Sequence, residues 1–287
     1  MRVMGSSLTH WVSGLALAMI SGAVFAAATG IAATKHNLSS SGTGPNHTTG
    51  TDQICVFCHT PHGSDTSAAV PLWNKNLPAG NSYTVYNSVS SSATSTIDGT
   101  IAANVGSVSL ACLSCHDGTQ AMDNALNRPG SGLYNASGAS IGGTWTGAAT
   151  MAGTPIPVLG TDLTNDHPIG IQYCGGGLTG TGTTVGGACA DPDFVGKDVR
   201  TDSHFSNAVV RTKSVNSSQI FWVETGTVDT TRQKTDLSLY TRSDLTGPSV
   251  ECGSCHDPHV ESKGSDNIMF MRVTTAGSAI CLSCHVK

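Results

Sequence analysis

The sequence predicts a mostly irregular, loop-rich fold with short helices at four recurring cysteine–histidine motifs and a few short β-strands. Three observations predict it. The pattern C-x-x-C-H occurs at residues 55–59, 112–116, 252–256 and 281–285. Only 11% of residues are charged and 5% aromatic, which leaves few large side chains for a conventional core, yet such low charge is unlike a disordered chain. Glycine, with 34 residues, interrupts long stretches that lack helix-forming runs.

C-x-x-C-H marks covalent attachment of haem c: two thiols form thioethers and the adjacent imidazole ligates the iron. The sets are Cys55, Cys58 and His59; Cys112, Cys115 and His116; Cys252, Cys255 and His256; and Cys281, Cys284 and His285. They imply four covalently attached haems c and use eight of the 10 cysteines and four of the 11 histidines. Structural zinc would need the C-x-x-C pairs combined into four-donor sets, and it gives no reason for a histidine after every second cysteine. Haem is a large, flat, mainly apolar body, so four haems are expected to form the core that a multihaem cytochrome chain wraps.

Taken in order, residues 1–28 read as a signal peptide: Arg2, an apolar run over 11–25, then Ala26-Ala27-Ala28, with cleavage after Ala26 or Ala28. The run is shorter than the ~20 apolar residues of a spanning helix, so no membrane span is expected after cleavage. Export leads to an oxidising compartment. The protein is expected to be secreted, at the cell surface or beyond, with the periplasm as the alternative.

Residues 29–130 form the expected N-terminal dihaem module. Its Ser/Thr/Gly-rich start contains His36 and His47, expected to be tied down by ligation, and Trp73, Tyr83 and Tyr86 are expected to pack on haem faces. A helix is expected over 108–116, continuing through 117–118 into 121–126. Residues 131–215 are a haem-free Gly/Ser/Thr-rich insert, and short strands are expected at 207–212, 219–224 and 237–241. Cys174 and Cys189, the cysteines outside the motifs, read as a disulfide in an exported chain; two free thiols or a metal site are the alternatives. Residues 216–287 form the C-terminal dihaem module, with a strand expected over 268–273.

The first and third motifs extend to C-x-x-C-H-x-P-H. A histidine three positions after the proximal one lies on the same side of its own haem, so His62 and His259 must each serve another haem, which sets the haems close together. Setting aside His10 of the signal peptide, His36, His47, His62, His167, His204 and His259 remain for four distal positions. Methionine would raise the potential, and Met122, Met151, Met269 and Met271 are available, but the histidines suffice for bis-His, low-potential sites.

Lys35-His36-Asn37-Leu38-Ser39, residues 55–62, Pro71-Leu72-Trp73-Asn74, Asn165-Asp166-His167-Pro168 and residues 252–259 together resemble multihaem c-type cytochromes of metal-reducing bacteria. The layout is similar to that of tetrahaem members that polymerise into extracellular cytochrome filaments. The resemblance implies His36, His62, His167 and His259 as distal ligands, with His47 and His204 in reserve. It implies a chain that conducts electrons through closely packed haems, towards other redox proteins or extracellular acceptors.

A homopolymer is expected in which His62, or next His36, ligates iron across the subunit boundary. Sparse charge suits surfaces that bury against copies of themselves better than the charged docking face of a carrier, although a soluble periplasmic tetrahaem carrier is the alternative. A multihaem reductase would need an open iron position, which six histidines for four sites disfavour, so no catalytic residue and no enzyme activity are expected. The formal charge is −5 with no basic cluster, and nucleic acid is not an expected partner.

Overall fold

The computed structural model describes residues 30–86, 99–151, 157–226, 231–259 and 270–286. The expected signal peptide lies outside them. Among the described residues the chain is loop-rich, and its α-helices are α1 (Ser107–His116), α2 (Cys252–Cys255) and α3 (Ala279–Leu282). All three carry attachment motifs, and the first motif forms a 3-10 turn over Cys55–Phe57. No helix among these residues is long and apolar enough to cross a membrane.

The strands in chain order are β1 (His47–Thr48), β2 (Asn124–Asn127), β3 (Tyr134–Ser140), β4 (Trp145–Thr146), β5 (Ile171–Gln172), β6 (Leu178–Thr181), β7 (Thr184–Gly187), β8 (Val209–Val215), β9 (Ser218–Glu224), β10 (Leu237–Thr241) and β11 (Pro248–Val250). β1 pairs with β4, β2 with β3 and β6 with β7, while the main sheet has the order β5-β11-β10-β9-β8. All its pairings are antiparallel. The expected strands at 207–212, 219–224 and 237–241 correspond to β8, β9 and β10. Val215 pairs with Ser218, which leaves Asn216 and Ser217 as the turn with φ of 48° and 63°, the positive values a tight primed hairpin requires at both positions.

Phe221, Trp222 and Val223 are buried in succession, so the centre of this sheet is covered on both faces. Tyr173, Leu178, Val210, Phe221 and Leu237 pack in one cluster that also receives Val273, Ala279 and Val286 from around the fourth motif. Each fully buried side chain of this size contributes about 1.5–3 kcal/mol. The expectation that the chain is too poor in large side chains for a conventional core is therefore corrected here. Average composition hides their segregation: β-branched and aromatic residues concentrate in β8–β10, while glycine, serine and threonine fill the loops.

Cys174 and Cys189 form the disulfide, with Cα atoms 5.3 Å apart, and it closes the open end of the β6–β7 hairpin. Two smaller clusters build the N-terminal half. Tyr83, Val85, Val105, Leu110, Leu113 and Leu163 pack around α1, and Leu38, Val56, Phe57 and Met122 pack with Cys58 and Cys115 between the first two motifs.

Two expected elements are corrected. α1 does not continue into 121–126: Gly118 takes φ 76°, outside helical geometry. Asp117 accepts from the Thr119 N–H and from the Tyr83 hydroxyl at 2.8 and 2.7 Å, and Asn124–Asn127 becomes β2 instead. Of the expected strand over 268–273, residues 268 and 269 lie outside the described set. The remainder forms an isolated Met271–His256 bridge, because Phe270 adopts φ 56° and breaks the extended run.

Candidate haem sites

The attachment motifs share one local device. His59 N–H bonds Cys55 O at 2.8 Å, His256 N–H bonds Cys252 O at 3.1 Å and His285 N–H bonds Cys281 O at 2.9 Å; the second motif lies inside α1. One helical turn places residues three and four apart on the same side. Both thiols and the imidazole of each motif can therefore address one planar group.

The proximal rings are oriented by backbone carbonyls. Pro71 O accepts from His59 Nδ1 at 2.8 Å, and Pro157 O accepts from His116 Nδ1 at 2.7 Å. A hydrogen bond at Nδ1 fixes the tautomer and leaves Nε2 as the ligating nitrogen. Trp73 lies edge-on to His59 with centroids 6.2 Å apart and is paired to it by a β-bridge. The hydroxyls of Tyr83 and Tyr86 secure loops, through Asp117 Oδ2 at 2.7 Å and Asp166 O at 2.9 Å.

Two sequence-nominated histidines face proximal ones. The His36 and His116 centroids are 6.0 Å apart with planes at 85°, and the His59 and His259 centroids are 6.0 Å apart with planes at 21°. Imidazole–metal bonds of about 2 Å on either side of one ion place ring centroids about 6 Å apart, and the separation of both pairs matches that spacing. His36 stacks on Phe270 at 4.1 Å, and its Nδ1 is buried with no protein partner. Burial first, then His116, His259 and His256, push its pKa down to about 4, so its ring is neutral at pH 7 and its lone pair is available to a metal.

The remaining nominated residues are not paired in this way. His62 is exposed, and its carbonyl accepts from Thr60 Oγ1 at 2.8 Å and Asn127 Nδ2 at 3.0 Å. His167 is exposed and its Nδ1 bonds Pro168 O at 3.0 Å. It stands just ahead of Ile171, whose partner Val250 is separated from the third motif by Glu251 alone. His285 packs against Phe194 at 4.2 Å. Of the reserves, His47 bonds Gly44 O at 3.0 Å, and His204 lines a cavity of about 310 Å³ with Met271 and Arg272.

Cysteines of successive motifs also lie within electrostatic reach of one another. Burial and then Cys115 push the Cys58 thiol up to about 12. The neighbouring Cys252 thiol, then burial, raises the Cys112 pKa. Burial and then Cys252 push Cys255 up to about 11, with Cys281 adding to the rise, and Cys284 is raised by burial and by Cys255.

The second and third motifs are clamped together by residues that motif reading missed. Glu251, buried, accepts from Ser109 Oγ at 2.5 Å and from Arg242 Nη1 at 2.8 Å. Ser109 Oγ in turn accepts from the Cys252 N–H at 3.1 Å. α1 is thereby tied to α2 at the start of the third motif. The only sequence signal was an acidic residue directly before the third motif. Between the first and second motifs, buried Lys75 donates Nζ to Ala121 O at 3.1 Å and Asn124 O at 2.9 Å.

Among the described residues no group of three or more His, Cys, Asp or Glu side chains is placed to hold a metal ion, the arrangement that structural zinc requires. Residues 248–287 match the family described as a doubled CXXCH motif. A search of curated proteins finds no match.

Proposed function

We propose that this chain, which its doubled motif indicates to be a multihaem c-type cytochrome-like protein with covalently bound haem c, holds four haems in a row and conducts electrons along them as a subunit of an extracellular filament. The observation that carries this reading is the facing of His36 with His116 and of His59 with His259, both at 6.0 Å. Bound haem supplies one-electron chemistry. The chain supplies two imidazoles per iron at these sites, cysteine anchors that bring neighbouring sites into contact, and apolar clusters that exclude water. Two facing imidazoles leave no position for a substrate, which supports electron transfer rather than catalysis.

With His36 engaged within its own chain, His62 becomes the candidate for ligation across a subunit boundary. It is exposed, and beside its loop Leu72 and Tyr134 remain 51% and 58% exposed, apolar surface suited to burial against a second copy. A head-to-tail contact of this kind extends into an open filament when its rotation does not close.

Intact-mass measurement of the mature protein tests the foundation. The expected mass is the chain plus four haems, and three or fewer removes the row. Electron microscopy of shed extracellular material separates the assemblies: filaments support the proposal, and monomers confined to the periplasm favour a soluble carrier.

A further inference from the structure

The distal ring of the first site is held differently from the other histidines whose Nδ1 partner is known. His47, His59, His116 and His167 all direct Nδ1 to backbone carbonyls. His259 directs Nδ1 to a carboxylate, Asp257 Oδ1, at 3.1 Å, and the same oxygen accepts the His259 backbone N–H at 2.9 Å. The second oxygen of Asp257 accepts from Arg272 Nη1 at 3.1 Å, with the two side chains only 14% and 7% exposed. Arg272 is itself fixed, by Nε to Gly253 O at 3.1 Å and by its backbone N–H to Cys255 O at 2.8 Å. The Asp257 N–H is also engaged, by Phe270 O at 2.8 Å.

We propose that Asp257 is the positioning residue of the first site: held by Arg272, its carboxylate takes the Nδ1–H of His259, turns Nε2 towards His59, and sets that site's reduction potential lower than a carbonyl partner would. The inference rests on His259 being the distal ligand there. A carboxylate is a stronger hydrogen-bond acceptor than a carbonyl and raises the basicity of the imidazole it orients. A more basic ligand stabilises oxidised over reduced iron and so lowers the potential. Asp257 also directly follows His256, the proximal residue of the third site. One carboxylate therefore joins the backbone of the third site to the ligand field of the first.

The test is a spectroelectrochemical titration of the full haem-loaded chain as Asp257→Asn, Asp257→Glu and the native protein, with electron paramagnetic resonance of each oxidised form. The amide either turns a donor towards Nδ1–H or offers it a neutral oxygen. One midpoint is expected to move positive in Asp257→Asn while the others stay, with the spectrum still low-spin; Asp257→Glu should bring that midpoint back towards the native value. Four unmoved midpoints in Asp257→Asn, or a shift shared equally by all sites, overturn the inference. Should Asp257→Asn lose haem, Asp257→Glu alone decides: it keeps a carboxylate acceptor, so every midpoint should stay near its native value, and one midpoint moved positive counts against the role. His259→Ala tests the underlying ligation separately. One new high-spin iron is expected, and its absence overturns the ligand assignment whatever Asp257 does.

Discussion

At the scale of single residues, the two facing pairs differ in a way that spectroscopy can read. Parallel imidazole planes lift the degeneracy of the iron d orbitals they overlap, whereas crossed planes leave it nearly intact and increase g anisotropy. His59 and His259, at 21°, should give a rhombic low-spin signal, and His36 and His116, at 85°, an axial signal with a large principal g value. Replacing His36 by Ala should abolish the second and leave the first. Loss of the rhombic signal instead would show that the pairs are exchanged. Glu251 offers a test by stability. Glu251→Gln keeps the volume but removes the charge that Ser109 and Arg242 share, a loss of about 1.5–3 kcal/mol for a charge-assisted bond. The urea midpoint should fall with an unchanged slope, and a stability equal to native would mean that the clamp contributes nothing.

At the scale of elements, the Cys174–Cys189 bridge closes a hairpin whose sequence separation is 15, worth roughly 3 kcal/mol by loop entropy. Alkylation without reduction should label neither cysteine. Replacing both with serine should lower the melting temperature by roughly 6–12 °C at about 2–4 °C per kcal/mol for a chain of this size. The bridge, β8–β10 and the helix of the second motif were all legible in the sequence, because each is declared locally by cysteine spacing, alternation or a motif. The end of α1 was not: Gly118 follows a helix-compatible run, and the alternative partner of 124–127 is a strand that begins beyond an intervening turn. The Pro71 and Pro157 carbonyls that orient His59 and His116 were equally invisible, since any residue offers a carbonyl and only tertiary structure selects one. Sequence indicated that His259 serves a haem other than its own, but its facing of His59 comes from the contact between the two ends of the chain.

At the scale of the whole molecule, the proposed row of sites and the exposed His62 converge on one experiment. His62→Ala, checked to retain four haems, is expected to yield monomers in electron microscopy with one high-spin iron per chain. Filaments that persist with every iron low-spin would move the junction elsewhere and leave the row itself standing. The formal charge of −5 on 287 residues gives little long-range repulsion to oppose copies that approach end to end.

The facing of His59 by His259 also fixes an order of construction. If the chain is exported as we propose, the first motif would emerge, and could receive its cofactor, before the ring that would close its other face. Until that ring arrived, an iron held there would be open to small ligands and oxygen, and the long intervening segment would have to be gathered before it was sealed. A chain cut short before residue 259 would therefore display its defect at the opposite end, as an unsealed first centre. Completion of the molecule is written into its first cofactor site.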